Sequence, residues 1–145
     1  MTETGRKTLL VVDDDPDMRG YVRRAVSRLC PFVGEVREAS TGQQALEMVR
    51  RGGIELLITD VQLPGLDGIS LCRQLESTAA GRPCPVLLIS GESSRTSDAF
   101  EFATNGPHRA FLAKPFNAHQ ISSALAALEA SHEHAPRLGK RRGSD

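Results

Sequence analysis

Asp13, Asp14, Asp60, Ser90 and Lys114 carry the side chains of this sequence that could act together on a phosphoryl group. Each follows or closes a short apolar run: LLVV before Asp13 and Asp14, LLIT before Asp60, VLLI before Ser90, AFLA before Lys114. Carboxylates gathered in one place repel one another, and without a cation at least one resists ionising. A hard divalent ion removes that conflict, and Mg²⁺ accepts one or two carboxylates, a carbonyl and retained waters. A lysine and a hydroxyl beside such an ion suit a phosphoryl group carried on one of the carboxylates. The ion and Lys114 would neutralise phosphoryl oxygens as charge builds, and Ser90 would donate a hydrogen bond to another. A carboxylate nucleophile forms an acyl phosphate, as a covalent intermediate or as a stored signal.

Those residues meet only if the elements before them end side by side. Leu9 to Val12 reads as a buried strand. Asp15 and Pro16 read as the cap and first position of a helix that turns Met18, Val22, Ala25, Val26 and Leu29 inward and stops before Pro31. A weaker strand covers Val33 to Ala39. Ser40 or Thr41 caps a second helix with Ala45, Leu46 and Val49 inward, ended by Gly52-Gly53. Ile54 to Thr59 is a third strand, and the loop VQLPGLDG, with Asp67 at a turn or helix start, leads to a helix near Leu66 to Ser77. Pro83 and Pro85 bracket the entry to a strand over Val86 to Ser90. Gly91 to Pro107 is the least regular stretch, with a short helix near Thr96 to Ala103. Ala110 to Ala113 is a fifth strand, and Asn117 caps a last helix with Ile121, Leu125 and Leu128 inward.

This alternation implies an α/β domain, a doubly wound parallel sheet with right-handed crossovers and helices on both faces. In such sheets the site lies outside the carboxyl ends of the strands. Strands one, three, four and five deliver the five groups there, while strand two contributes nothing obviously chemical. The domain is expected over residues 7–130, after a leader over 1–6. A frayed helix end and flexible tail over 131–145 follow, partly basic through Arg137, Lys140, Arg141 and Arg142.

Composition narrows the function. The chain has 145 residues, 39% hydrophobic and 25% charged, which suits one globular core. Lys plus Arg and Asp plus Glu are both 18, so overall charge gives no reason to expect nucleic acid or a membrane surface as partner. No apolar run approaches the ~18 residues of a membrane span, and the start has no signal-peptide pattern. Cys30, Cys72 and Cys84 form no CxxC pair and suit packing in a reducing cytoplasm. With no Trp and one Tyr, no aromatic platform for bases is expected. His108, His119, His132 and His134 are expected to be exposed rather than ligands; the last two are two apart, the wrong spacing for one helical face.

LLVVDDDPDMR, LLITDVQLPGLDGISLCRQL, PVLLISGES and AFLAKPF resemble, in order and spacing, the four motifs of bacterial two-component response-regulator receiver domains, the chemotaxis-receiver-like superfamily. The resemblance spans roughly residues 7 to 130. It implies a flavodoxin-like fold of five helices and a five-stranded parallel sheet in the order 2-1-3-4-5. It implies Asp60 as phosphoacceptor, with Asp13 and Asp14 organising Mg²⁺ or Mn²⁺. Asp14 would ligate directly and Asp13 through water, with Asp60 and the backbone carbonyl of Gln62 as further ligands. Ser90 takes the switch hydroxyl position and Phe111 the switch aromatic position. Lys114 takes the place of the phosphoryl-binding lysine, and its bond to Pro115 is expected to be cis. Gln62 and Glu92, two residues beyond Asp60 and Ser90, stand at positions that tune phosphoryl lifetime.

The same resemblance implies a sensor histidine kinase or a histidine phosphotransfer protein as donor and a downstream protein as target. It leaves room for a homodimer through the face made by helix four, strand five and helix five. It implies a cytoplasmic phosphorelay component that promotes its own phosphorylation and dephosphorylation without being a dedicated enzyme. Two features depart from the pattern. Asn105-Gly106-Pro107-His108-Arg109 replaces the usual small Gly-Ala turn, and no output domain follows the last helix, so a stand-alone receiver is expected.

Two other readings compete. A pseudo-receiver would be a protein-interaction module that never takes phosphate. A haloacid-dehalogenase-type phosphatase would use Asp13-Asp14-Asp15 as its DxD motif, but Asp17 stands where a Thr or Val belongs, and a cap domain has no room.

Overall fold

Alternation along the strands decides the architecture. In β1 (Lys7–Val12), Leu9 and Val11 point to one side of the sheet and Leu10 and Val12 to the other, and all are buried. Strands buried on both faces need helices on both faces. A computed structural model, which describes residues 5–78, 84–91 and 93–144, supplies them. After β1 come α1 (Pro16–Leu29), β2 (Val33–Ala39), α2 (Gly42–Arg50), β3 (Leu56–Asp60), α3 (Gly68–Thr78), β4 (Val86–Ser90), α4 (Ser93–Thr104), β5 (Arg109–Ala113) and α5 (Ala118–Ser144). The strands are parallel and ordered β2-β1-β3-β4-β5, the order the motifs imply.

Two apolar layers result. Leu9, Val11, Leu56, Ile58, Leu87 and Ile89 pack with Val22 and Val26 of α1 and Ile121, Leu125 and Leu128 of α5. Leu10, Val12, Leu57, Val86 and Leu88 pack with Leu46 of α2, Ile69 and Leu71 of α3, and Ala99 and Phe102 of α4. Cys30 and Cys72 are buried and Cys84 half-buried. Burial pushes the Cys72 and Cys84 thiols up to about 12, so they pack rather than react.

Local chemistry starts α1, α2 and α5 where the sequence indicates. Asp15 Oδ1 accepts from the Asp17 amide at 3.0 Å, with Pro16 as first helical residue. Thr41 Oγ1 accepts from the Gln44 amide at 3.0 Å. Asn117 and Gln120 exchange hydrogen bonds of 2.9 and 2.8 Å in a reciprocal cap. Several boundaries differ from expectation. β3 starts at Leu56 rather than Ile54 and includes Asp60. α3 starts at Gly68 because Asp67 serves as its cap, accepting from the Ser70 amide at 2.8 Å. α4 begins three residues before Thr96, at Ser93. α5 runs as helical backbone to Ser144, through the 131–145 stretch expected as a frayed helix end and tail. Among the described residues no helix is long and apolar enough to cross a membrane.

Candidate functional site

Register brings the strand ends level. Val12 pairs with both Ala39 and Thr59, Asp60 with Ile89, and Ser90 with Ala113. Three further ladder bonds extend the sheet into the loops: the amides of Asp13, Val61 and Lys114 donate to the carbonyls of Ala39, Ile89 and Ser90 at 3.1, 2.8 and 3.0 Å. Asp13, Asp60 and Ser90 are therefore held by sheet geometry, and each is buried.

The carboxylates do converge. Asp13, Asp14 and Asp60 each offer an oxygen within 4.8 Å of the others. Asp13 and Asp60 are only 4% and 6% exposed, while Asp14 faces solvent. Asp13 Oδ1 accepts from the Asp15 amide at 2.9 Å. Asp60 Oδ1 accepts from the Gln62 amide at 3.2 Å, and Lys114 Nζ stands 3.3 Å from Asp60 Oδ2. The Lys114–Pro115 peptide is cis, as expected. Burial pushes the Asp13 carboxyl up from 3.8 to about 6; the charges of Asp60 and Asp14 push the same way, against the Asp15 amide and Lys114. That conflict is one a divalent cation would relieve, and the all-oxygen donor set fits Mg²⁺ or Mn²⁺.

The remaining expected residues divide. Phe111, on β5, is half-buried, with its ring edge-on to Phe100 of α4 at 6.0 Å and 83°. Phe100 itself is 56% exposed. Gln62 is exposed. Glu92 lies outside the described residues, and so do the side chains of His132 and His134. His119 is exposed as expected. His108 is not: it is half-buried, with φ 61° in the turn that replaces the small Gly-Ala one. That turn tucks it beneath the start of β5, where its carbonyl accepts from the Val86 amide at 2.9 Å.

Sequence reasoning missed three residues. A Cβ on Gly68 would collide with the carbonyl of Asp60, so only glycine lets α3 start against the end of β3. Arg19 Nη1 donates to the Asp13 carbonyl at 2.7 Å while its Nε pairs with Glu38 on β2 at 2.8 Å. Spacing carries no signal for either arrangement, because each joins residues from different elements.

A model of the family described as "Response regulator receiver domain" matches residues 9–126. The chain belongs to that family. As a receiver domain it belongs with the response regulators of two-component signalling. It is 36% identical over 121 residues to the response regulator MprA of Mycobacterium leprae, an alignment covering 83% of this chain and 50% of MprA. The chain thus spans about half the length of the MprA proteins it matches. It is 30% identical to the chemotaxis protein CheY-3 of Vibrio cholerae, covering 81% of this chain and 87% of that protein. Among solved structures, the receiver resembles a putative response regulator from Chloroflexus aurantiacus. The TM-score is 0.70 at 32% identity, covering 86% of this chain and 98% of that one.

Proposed function

We propose that this receiver is a phosphorylation switch in which Asp60 takes a phosphoryl group from a phosphohistidine. The observation that carries the reading is the convergence of Asp13, Asp14 and Asp60 within 4.8 Å, with Lys114 Nζ 3.3 Å from Asp60. Asp13, Asp14 and Asp60, with the carbonyl of Gln62, would hold Mg²⁺ or Mn²⁺. When bound, such an ion supplies positive charge against the phosphoryl oxygens.

The chain's own residues do the rest. The Gln62 amide fixes the rotation of the Asp60 carboxylate, presenting an oxygen to the incoming phosphorus. As that oxygen–phosphorus bond forms, the phosphorus–nitrogen bond of the donor breaks, and its electron pair stays on the imidazole nitrogen. Lys114, now paired with the Asp60 carboxylate, transfers its charge to the phosphoryl oxygens. The Ser90 hydroxyl donates to another of these oxygens. The product adds about −1.5 to −2 charge at one side chain. Ser90 moves toward it, Phe111 turns into the space vacated, and the face of α4, β5 and α5 changes shape for a downstream protein. Gln62 and Glu92 set the lifetime of the acyl phosphate by their access to attacking water. The donor is a cytoplasmic histidine kinase or histidine phosphotransfer protein, and the receiver unit occupies residues 7–130.

Intact-mass measurement after incubation with Mg²⁺ and a phosphohistidine donor, with acetyl phosphate in parallel, tests this. The wild type gains one phosphoryl group and Asp60→Asn gains none. Failure of the wild type with every donor would leave a pure interaction module. Turnover of a phosphate ester that needs Asp13 but survives Asp60→Asn would mark a phosphatase.

A further inference from the structure

We infer that Arg19 is a positioning residue for the cation site, acting through the main chain of Asp13, and that Glu38 on β2 is its anchor. The inference rests on the metal site proposed above and adds residues outside its ligand set. The turn between β1 and α1 carries Asp13, Asp14 and Asp15 in succession, with Asp17 two residues on. Their mutual repulsion works to spread it. Two arms from the end of β2 hold it in place. The Ala39 carbonyl accepts from the Asp13 amide at 3.1 Å. Its neighbour Glu38 holds Arg19 Nε at 2.8 Å, and Arg19 Nη1 reaches back to the Asp13 carbonyl at 2.7 Å. Both peptide groups of Asp13 are thereby referred to adjacent residues of one strand.

Glu38 is itself fixed. Its second oxygen accepts from Arg23 Nε at 2.9 Å, and Arg23 Nη2 donates to the Val36 carbonyl at 2.9 Å. The Arg19 side chain is 18% exposed, so the pair is shielded from much of the solvent that weakens surface ion pairs. The fork of a guanidinium serves a carboxylate and a carbonyl at once, which an ammonium cannot do with the same geometry. β2 thus takes part in the site without placing a ligand in it.

The role predicts a sign opposite to simple electrostatics. Removing the Arg19 cation, and leaving the Glu38 carboxylate with Arg23 as its remaining partner, should strengthen binding of a divalent cation if charge alone mattered. Loss of positioning should weaken it, by about tenfold on the scale seen for groups that orient metal ligands. Free Mn²⁺ counted by electron paramagnetic resonance gives the dissociation constant of each variant without any phosphoryl transfer, and thermal unfolding of the metal-free chains gives their stability. Arg19→Ala and Glu38→Ala should each bind Mn²⁺ about tenfold more weakly, and the double variant no more weakly than either single one, because both break one linkage. Arg19→Lys, which keeps the charge on a slightly shorter side chain without the fork, should recover less than half of the loss on a logarithmic scale. Mn²⁺ binding unchanged or tightened in a folded Arg19→Ala chain, with the wild type binding normally, overturns the positioning role alone. A wild type that takes up no Mn²⁺ overturns both the metal site and the role of Arg19 in it.

Discussion

Burial and charge oppose each other most directly at Asp13. Its carboxyl rises from 3.8 to about 6 because burial and two neighbouring carboxylates disfavour its charge. A raised value means the folded metal-free chain binds the proton more tightly than the unfolded one. The associated stability is complete below about pH 4 and is lost as pH rises through 6. At ~1.4 kcal/mol per pH unit, the loss is about 3 kcal/mol. Asp13→Asn removes it, so the metal-free variant should be about 3 kcal/mol more stable than the wild type at pH 7.5 and equal to it near pH 3.5. Saturating Mg²⁺ should narrow the gap at pH 7.5, because only the wild type gains binding energy. Urea unfolding of both chains across this range reads the difference directly; a gap that shrinks with rising pH without metal would falsify the account. The acidic residues and Lys114 were legible in the sequence because each ends an apolar run, and parallel strands must present such ends together. Arg19 and Glu38 were not, since they lie 19 residues apart on a helix and a strand whose facing depends on the finished fold.

Helices and strands meet the site through contacts that local pattern does not encode. Gly68 reads as an ordinary loop residue, yet its place at the start of α3 rests on the bare Cα that lets it lie against Asp60, where its amide donates to the Val61 carbonyl at 2.9 Å. Gly68→Ala should cost about 1–3 kcal/mol through forced displacement. It should also slow phosphoryl uptake at Asp60, whereas Gly65→Ala, with open space at its Cβ but a φ of 79°, should cost stability without touching the site. Chemical unfolding and intact mass separate the two. The turn before β5 is another case. Arg109 donates to the Phe102 carbonyl at 2.8 Å, pairs with Glu76 of α3 at 2.6 Å, and lies over the Phe102 ring at 3.7 Å. One side chain thus ties β5, α4 and α3 together where the sequence departs from the family's small turn. Arg109→Ala should destabilise by about 2 kcal/mol, a cost that thermal unfolding would read. Arg109→Lys should restore little of it, because an ammonium offers no flat face to the ring. The Ser- and Thr-rich start of α4 hid its true length, since such residues favour caps over helix interiors until packing at Ala99, Phe102 and Ala103 decides.

Across the whole molecule, the sheet separates two apolar layers, and its carboxyl edge is where both meet the charged crevice. Strand composition made this architecture readable, because alternate residues of β1, β3 and β4 are apolar on both faces. How a change at the crevice spreads was not readable, because that depends on which layer yields. Both layers hold fully buried residues, Leu9, Leu87 and Ile121 under α1 and α5 and Leu10, Leu57 and Leu88 under the other helices, and it is at β5 that the packing reaches the surface, where half-buried Phe111 meets exposed Phe100. A close-packed layer resists rearrangement, and a partly exposed aromatic contact does not. The response to phosphorylation of Asp60 should therefore centre on β5 and the helices packed beside it, α4 and α5, and leave α1 and α2, at the β2–β1 edge, unchanged. Hydrogen exchange should show altered protection in α4, β5 and the first turns of α5 of the phosphorylated chain. Asp60→Asn should show none of it, and Ser90→Ala should accept the phosphoryl group with the response reduced. Phe100→Ala, which removes the edge contact with Phe111, should shift protection in β5 before any phosphorylation, since the contact helps hold that ring half out. Protection changes confined to α1 and α2, which flank the β2–β1 edge of the sheet, would mean that the signal runs to that edge instead, and the assignment of Ser90 and Phe111 as its carriers would fall.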